Sequence, residues 1–390
     1  MKKSPVRPKE RFLVFGSPLI EDEDIEEVVA TLRSGWIGTG PRTARFERNF
    51  SAYVGMEHAV ALNSCTAALH LSLLAADLPE GSEVITTPLT FCATVNAIIH
   101  AGLRPVLADV DSRTLNIDPA AIGAAITPNT KAILPVHFAG RACDMDSITS
   151  IAKKHGLTLI EDCAHAIETK YKGRHAGTFG DFGCFSFYVT KNIVTGEGGM
   201  VLTNDPKKAG RIKRLALHGM SADAWKRFGD DGYKHYYVVE SGFKYNMMDL
   251  QAAIGIHQLE RIEKYHKRRI HIKNLYDGAF AKLPLGLPAA QEPGNVDSCH
   301  LYQILVNEKK CGVSRDRFLH NMTQNGIGVG VHYQSMPEHP FYREKFGWRP
   351  EDYPNAMRIG RETISLPIGP KLDDNDVEDV IAAVTRSLEV

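Results

Sequence analysis

Residues 185–204 read FSFYVTKNIVTGEGGMVLTN: an apolar strand, one lysine, a turn of hydroxyl and glycine residues, then a second apolar strand. A lone ammonium between two buried segments is most simply a strand cap with its head in water. Two features of the stretch oppose that reading. TGEGG offers backbone without Cβ atoms, as a chain does where something must approach closely. Ser186 and Thr190 also flank Lys191 with hydroxyl groups. Burial favours the neutral amine, and a neutral lysine is a nucleophile towards an aldehyde or ketone.

Working outward, the apolar runs HAVAL, EVITTP, RPVLADV, KAILPV, LTLIED, GCFSFY and GMVLTN alternate with helical patterns between residues 58 and 204. Continuous apolar strands separated by helices predict an α/β fold, with a mostly parallel sheet of about seven strands covered on both faces. Ligands in such sheets sit beyond the carboxyl ends of the strands. Residues 249–269 read as one long helix. After a Pro/Gly-rich stretch comes a smaller C-terminal α/β unit with strand HLYQILV, helix DRFLHNMTQNG and strand GVGVHY. The expected division is 12–262 for the large domain and 263–390 for the small one. In the last segment Val377, Val380, Ile381, Val384 and Leu388 share one helical face, which predicts core packing.

The totals narrow the function. With 46 basic and 46 acidic side chains there is no net field to gather nucleic acid or an anionic membrane, so the expected partners are small molecules or another copy of the chain. Seven cysteines without a CxxC pair argue for a reducing compartment, and no HExxH or Cys/His ladder supports a metal. The basic amino terminus lacks a following apolar segment, and nowhere do eighteen apolar residues run together. A cytoplasmic protein is expected.

Three strand ends carry unusual residues. Asn63-Ser64-Cys65-Thr66 opens a helix after a strand, where free N–H groups and hydroxyls make an anion seat. Phe91 opens the next helix and offers an aromatic face, although a phenylalanine there is more often core. Glu161 and Asp162 end an apolar strand, where a carboxylate must find a cation or a donor. Facing a heteroaromatic nitrogen, such a carboxylate holds it protonated and makes the ring an electron sink. An anion seat, an aromatic face, a buried acid and a buried lysine are together what pyridoxal 5'-phosphate (PLP) requires.

The chain resembles the DegT/DnrJ/EryC1/StrS family, PLP-dependent sugar aminotransferases of the aspartate aminotransferase superfamily. The resemblance rests on nine strings in family order: SGWIGTGPRTARFERNF, NSCTAALHLSL, TTPLTFCATVNAI, PVHFAG, IEDCAHA, FSFYVTKNIVTGEGG, GFKYNMMDLQAAIGIHQLERI, GIGVGVHY and SLPIGP. It implies that Lys191 forms the internal Schiff base, Asp162 pairs with the pyridine nitrogen, His165 lies near the ring hydroxyl and Phe91 stacks on the ring. Ser64, Cys65, Thr66 and Ser186 would hold the phosphate, completed by Lys244 or Asn246 from a neighbouring subunit, so the site would need a homodimer.

Departures from the common pattern are Cys65 in place of Gly, Tyr188 in place of His, and KYN in place of NYR. KYN, LHGMSADAWKR and the stretch from GIGVGVHY to FGW resemble the branch that aminates UDP-4-keto-pentose. Relatives that remove a sugar hydroxyl carry His at position 191, so Lys191 favours transamination. The resemblance thus implies ping-pong transfer of an amino group from L-glutamate, through the pyridoxamine form (PMP), to a keto group, expected at C4, of a nucleotide-linked sugar. His332, Tyr333, Arg358 and Arg361 are candidates to meet anionic groups of the substrates, and Trp36 and Thr39 to line a sugar pocket. His137 reads as a structural histidine. The rivals are a non-catalytic PLP-binding sensor on the same fold and a nicotinamide-dependent sugar oxidoreductase, which the absence of GxGxxG after the first strand disfavours.

Overall fold

A computed structural model of the chain describes residues 4–221 and 235–389. The part of LHGMSADAWKR from residue 222 onward lies outside the described residues. All seven expected strands form one sheet: β1 (His58–Leu62), β2 (Glu83–Thr86), β3 (Arg104–Leu107), β4 (Thr130–Leu134), β5 (Thr158–Asp162), β8 (Phe182–Ser186) and β9 (Gly199–Thr203). A two-residue hairpin, β6 (Lys170–Tyr171) with β7 (Arg174–His175), interrupts the series. The sheet order is β1-β9-β8-β5-β4-β2-β3. Every pairing from β3 across to β8 is parallel, whereas β9 runs antiparallel to both β8 and β1. The amino end of β9 therefore shares an edge with the carboxyl ends of the other six strands.

Alternation along the strands explains the two covered faces. Phe182 and Cys184 of β8 pack with Leu69, Ile160 and Ile212, while Phe185 points the other way, among Phe46, Phe50 and Phe187. Val201 and Met200 of β9 divide in the same manner. Each such buried side chain contributes about 2 kcal/mol of transfer free energy.

The C-terminal unit pairs β10 (Tyr302–Leu305) with β11 (Thr363–Leu366) in antiparallel register. Its core includes Tyr276, Phe318, Ile364 and the expected Val377, Val380 and Val384, with Ile381 and Leu388 at the margin. Asp373 caps the last helix, its carboxylate accepting from the Asp376 N–H. Two expectations fail. The stretch 249–269 forms two helices, Asp249–Glu260 and Ile262–Phe280, broken at Arg261, whose guanidinium is drawn to the buried Asp24 carboxylate 2.5 Å away. GVGVHY is not a strand either: Gly330 alone pairs with Ser365 before the chain turns His332 and Tyr333 into the cleft between the two units. Leu13 packs against the C-terminal core and bridges to Ile327.

Candidate active site

A cavity of about 520 Å³ opens over the shared edge of the sheet. Ser64, Cys65, Thr66, Phe91, Asp162, His165, Ser186 and Lys191 all line it. The loop after β1 delivers Ser64, whose Oγ accepts from the Ala67 N–H at 3.1 Å and so starts the Cys65–Ala75 helix. A helix leaves its first-turn N–H groups without intrahelical acceptors, and their positive end faces whatever occupies the cavity. Cys65 is buried at this turn and belongs to the apolar core cluster that includes Leu69, while also lining the cavity. Gly199 explains part of the glycine run. A Cβ there would come within 2.4 Å of the Ser64 backbone, so the close approach is made by the chain's own anion seat.

Asp162 ends β5 at 4% exposure. Its Oδ2 accepts from Thr94 Oγ1 at 2.9 Å and its Oδ1 from the Ala164 N–H at 3.1 Å. Burial raises its pKa, against the opposing pull of those two donors and of Lys191. Burial likewise lowers Lys191, to about 8, against the attraction of Cys65 and Asp162. At neutral pH its amine thus carries an appreciable neutral fraction. Phe91 is no core residue: it is 56% exposed, with its ring centroid 5.9 Å from that of Tyr333.

The C-terminal unit supplies His332 and Tyr333 to the same cavity. His332 Nδ1 is 2.9 Å from Ser365 Oγ, and Tyr333 Oη is 3.0 Å from His165 Nε2. Burial lowers the pKa of both histidines, His332 to about 4 and His165 well below its ordinary value. Behind Lys191, Asn192 Nδ2 donates to both carboxylate oxygens of Glu168 and to Ser298 O, and its Oδ1 meets His300 Nδ1 at 3.0 Å. This buried cross-link between the two units was missed; the one available signal was a polar Asn beside the lysine in an apolar run. Thr94 was missed too, since nothing in FCAT marks its hydroxyl as the partner of an acid.

Other candidates lie elsewhere. Arg358 pairs with Glu362 at 3.1 Å and Arg361 with Glu338 at 2.7 Å, and neither lines the cavity. Thr39 Oγ1 donates to Met247 O and accepts from Asn246 Nδ2, while Trp36 stands 52% exposed beside it; neither side chain lines the cavity of its own chain. Lys244 and Asn246 do not line it either. Asn246 bridges to Leu62 of β1, and Lys244 is exposed. His137 is fully buried, with its Nδ1 accepting from the Cys143 N–H and its Nε2 3.0 Å from Glu161 Oε2. With Glu161 and Cys163 it forms a cluster whose potential ligand atoms lie within 4.8 Å of one another, but the His137 and Glu161 atoms are already engaged in hydrogen bonds.

These residues fit PLP. The helix start and Ser186 suit its phosphate, the open face of Phe91 its ring and the Lys191 amine its aldehyde. Asp162, a carboxyl disfavoured as an anion by burial, suits a protonated ring nitrogen, which would restore its charge.

Comparison with known proteins agrees with this geometry. The DegT/DnrJ/EryC1/StrS aminotransferase family matches residues 18–385. The spore coat polysaccharide biosynthesis protein SpsC of Bacillus subtilis (strain 168) is 49% identical over 381 residues, covering 97% of this chain and 98% of its own. Among solved structures, the PMP form of Spr1654 from Streptococcus pneumoniae, described as a sugar aminotransferase, superposes with a TM-score of 0.90 at 34% identity over 97% of this chain and 99% of its own. The same protein is known in a PLP form. DesI, solved in the presence of its TDP-sugar product, superposes with a TM-score of 0.87 at 30% identity, covering 98% of this chain and 94% of its own.

Proposed function

The chain belongs to the DegT/DnrJ/EryC1/StrS aminotransferase family, and from that premise we propose that it transfers an amino group from L-glutamate to the C4 keto group of a nucleotide-linked sugar, with PLP bound through Lys191. The observation that carries this reading is that Lys191, its pKa lowered to about 8, and Asp162 line one cavity. PLP, when bound, supplies the aldehyde that carries the amine and the ring that spreads charge. Asp162 keeps the ring nitrogen protonated, held in place by Thr94 and the Ala164 N–H. The Lys191 amine, desolvated and part neutral, takes a proton from the donor's α carbon and returns one to the sugar carbon. Ser64, Thr66 and Ser186 hold the phosphate. The TDP-sugar in the DesI structure supports a nucleotide sugar as acceptor. The family membership displaces the nicotinamide-dependent rival.

The working form in this reading is a cytoplasmic homodimer. No helix among the described residues is long and apolar enough to cross a membrane. Lys244 or Asn246 would complete the partner subunit's phosphate seat in that dimer. Light scattering tests the dimer. The decisive experiment adds L-glutamate to the PLP-loaded protein: the yellow band is expected to give way to that of the aminated cofactor. A panel of nucleotide 4-keto and 3-keto sugars should then restore it, the 4-keto sugars fastest. Bound cofactor that glutamate leaves unchanged would favour the sensor reading.

A further inference from the structure

We propose that Asn192 is a positioning residue for Lys191: it ties the chain that carries the lysine to the C-terminal unit, and so sets where the amine can reach. The proposal rests on the reading of Lys191 as proton carrier given above. Lys191 lies in neither strand nor helix, in the loop between β8 and β9, so no ladder holds its backbone. The bonds from the Lys191 N–H to Tyr188 O at 2.8 Å and from the Thr195 N–H to Phe187 O at 2.9 Å shape this loop from within. A lysine stem is flexible, and proton transfer at one carbon tolerates little misplacement. The backbone beneath the stem must therefore be fixed from outside the loop.

Asn192 supplies that anchor. Its side chain is 4% exposed, and its Nδ2 meets the two Glu168 oxygens at 2.9 and 2.8 Å and Ser298 O at 3.1 Å. Three acceptors around one atom fix the orientation of the amide, since an oxygen placed there would face only lone pairs. Asn192 Oδ1 is then the acceptor, and His300 Nδ1, 3.0 Å away, carries a hydrogen. Burial keeps His300 uncharged, so this tautomer persists across neutral pH. Glu168 grips the amide from a buried position, its pKa raised by burial against the pull of His266 and Arg269 on the Ile262–Phe280 helix. Ser298 and His300 lie just ahead of β10, whose Gln303 pairs with Ser365 of β11, and Ser365 Oγ is 2.9 Å from His332 Nδ1. One short segment thus connects the residue after the lysine to the unit that brings His332 and Tyr333 to the cavity. Ser298 also donates its N–H to Gly140 O at 3.0 Å. Gly140, at φ +90°, permits this approach, because a Cβ there would lie 1.8 Å from Ser298 Oγ.

The test follows the loss of the yellow band when L-glutamate is added to the PLP-loaded protein. In Asn192→Ala the rate at saturating glutamate is expected to fall about 10- to 100-fold. The glutamate concentration giving half that rate should change by less than about threefold, because the lysine's aim is lost and donor binding is not. Asn192→Asp should be at least as slow, since it sets a second carboxylate against Glu168. Adding Glu168→Gln to it returns an amide donor to that contact and is expected to recover about tenfold. A second readout needs no cofactor: hydrogen exchange of the amides between residues 188 and 195 should quicken about tenfold in Asn192→Ala, with β8 and β9 still protected. A wild-type saturating rate in Asn192→Ala, or exchange that quickens equally in the flanking strands, would overturn the proposal. If Asn192→Ala does not fold, the swapped pair decides, and no recovery over Asn192→Asp overturns it equally. A wild-type protein that forms no yellow band would overturn the PLP reading instead and leave the exchange result standing.

Discussion

Glu161 and Asp162 are neighbours on β5, both carboxylates, both almost wholly buried, and they have opposite fates. The pleat sends them to opposite faces. Glu161 accepts four hydrogen bonds: from the N–H groups of Gly177, Phe179 and Gly180, at 2.7 to 2.8 Å, and from His137 Nε2 at 3.0 Å. The loop that donates them depends on Gly177, at φ +83°, where a Cβ would strike Phe185. Among the described residues Asp162 accepts from Thr94 and the Ala164 N–H alone, lines an open cavity, and has its pKa raised by burial. Burial alone therefore does not single out a functional acid. The distinguishing feature is how much of its hydrogen-bonding capacity the protein has left for something else.

The sharpest way to break this contrast lies with the lysine that shares the cavity of Asp162. Lys191→Ala is expected to leave a folded protein that forms no yellow band and has lost about 1,000-fold or more of its transamination rate, as removal of both anchor and proton carrier requires; a persisting borohydride-sensitive band in that variant contradicts the assignment. Asp162→Asn should come next, with turnover down about 100-fold, while its unfolding free energy from urea titration changes by less than about 1 kcal/mol because Asn keeps both hydrogen-bond partners. Glu161→Gln should do the reverse. An amide NH₂ facing backbone N–H donors costs about 2–3 kcal/mol of stability, and the variant that still folds should turn over at close to the wild-type rate. Equal stability losses at 161 and 162 would dissolve the distinction.

A subtler test follows the pH dependence of the cofactor-free protein. Lys191 has a folded pKa of about 8, below its ordinary 10.5, so the folded state disfavours the ammonium. Below about 8 both states are protonated and the full cost is present; between 8 and 10.5 the unfolded chain binds more protons, and stability rises with pH. The expected gain is up to about 3 kcal/mol, and it should vanish in Lys191→Met. A flat profile in the wild type would mean that the amine is solvated. The smallest effect is expected for Thr94→Val, which removes one donor from Asp162 and should weaken PLP binding by about 10-fold.

Much of this was legible in the chain. All seven sheet strands stood out as apolar runs, because a strand buried on both faces cannot alternate. Ser64, Cys65, Thr66, Phe91, Asp162, His165 and Ser186 line one cavity with Lys191, while Lys244 and Asn246 do not, because the sheet gathers the strand ends and the loops that follow them at one edge. What escaped was set by partners distant in sequence. The helix expected at 249–269 is interrupted at Arg261, which pairs with the distant Asp24. GVGVHY has a strand's composition, yet only Gly330 finds an edge to pair with.

The sequence by itself determined the α/β class, the lysine, the acid and the anion seat, for these depend on residue type and on position relative to strand ends. The tertiary structure supplied the reason Asp162 rather than its neighbour Glu161 has hydrogen-bonding capacity to spare. It also decided that Tyr333 and His332 join the cavity and that Asn192 ties the two units behind the lysine. Hydrogen-bond satisfaction and proton direction are properties of the assembled surroundings, and no single stretch of chain encodes them.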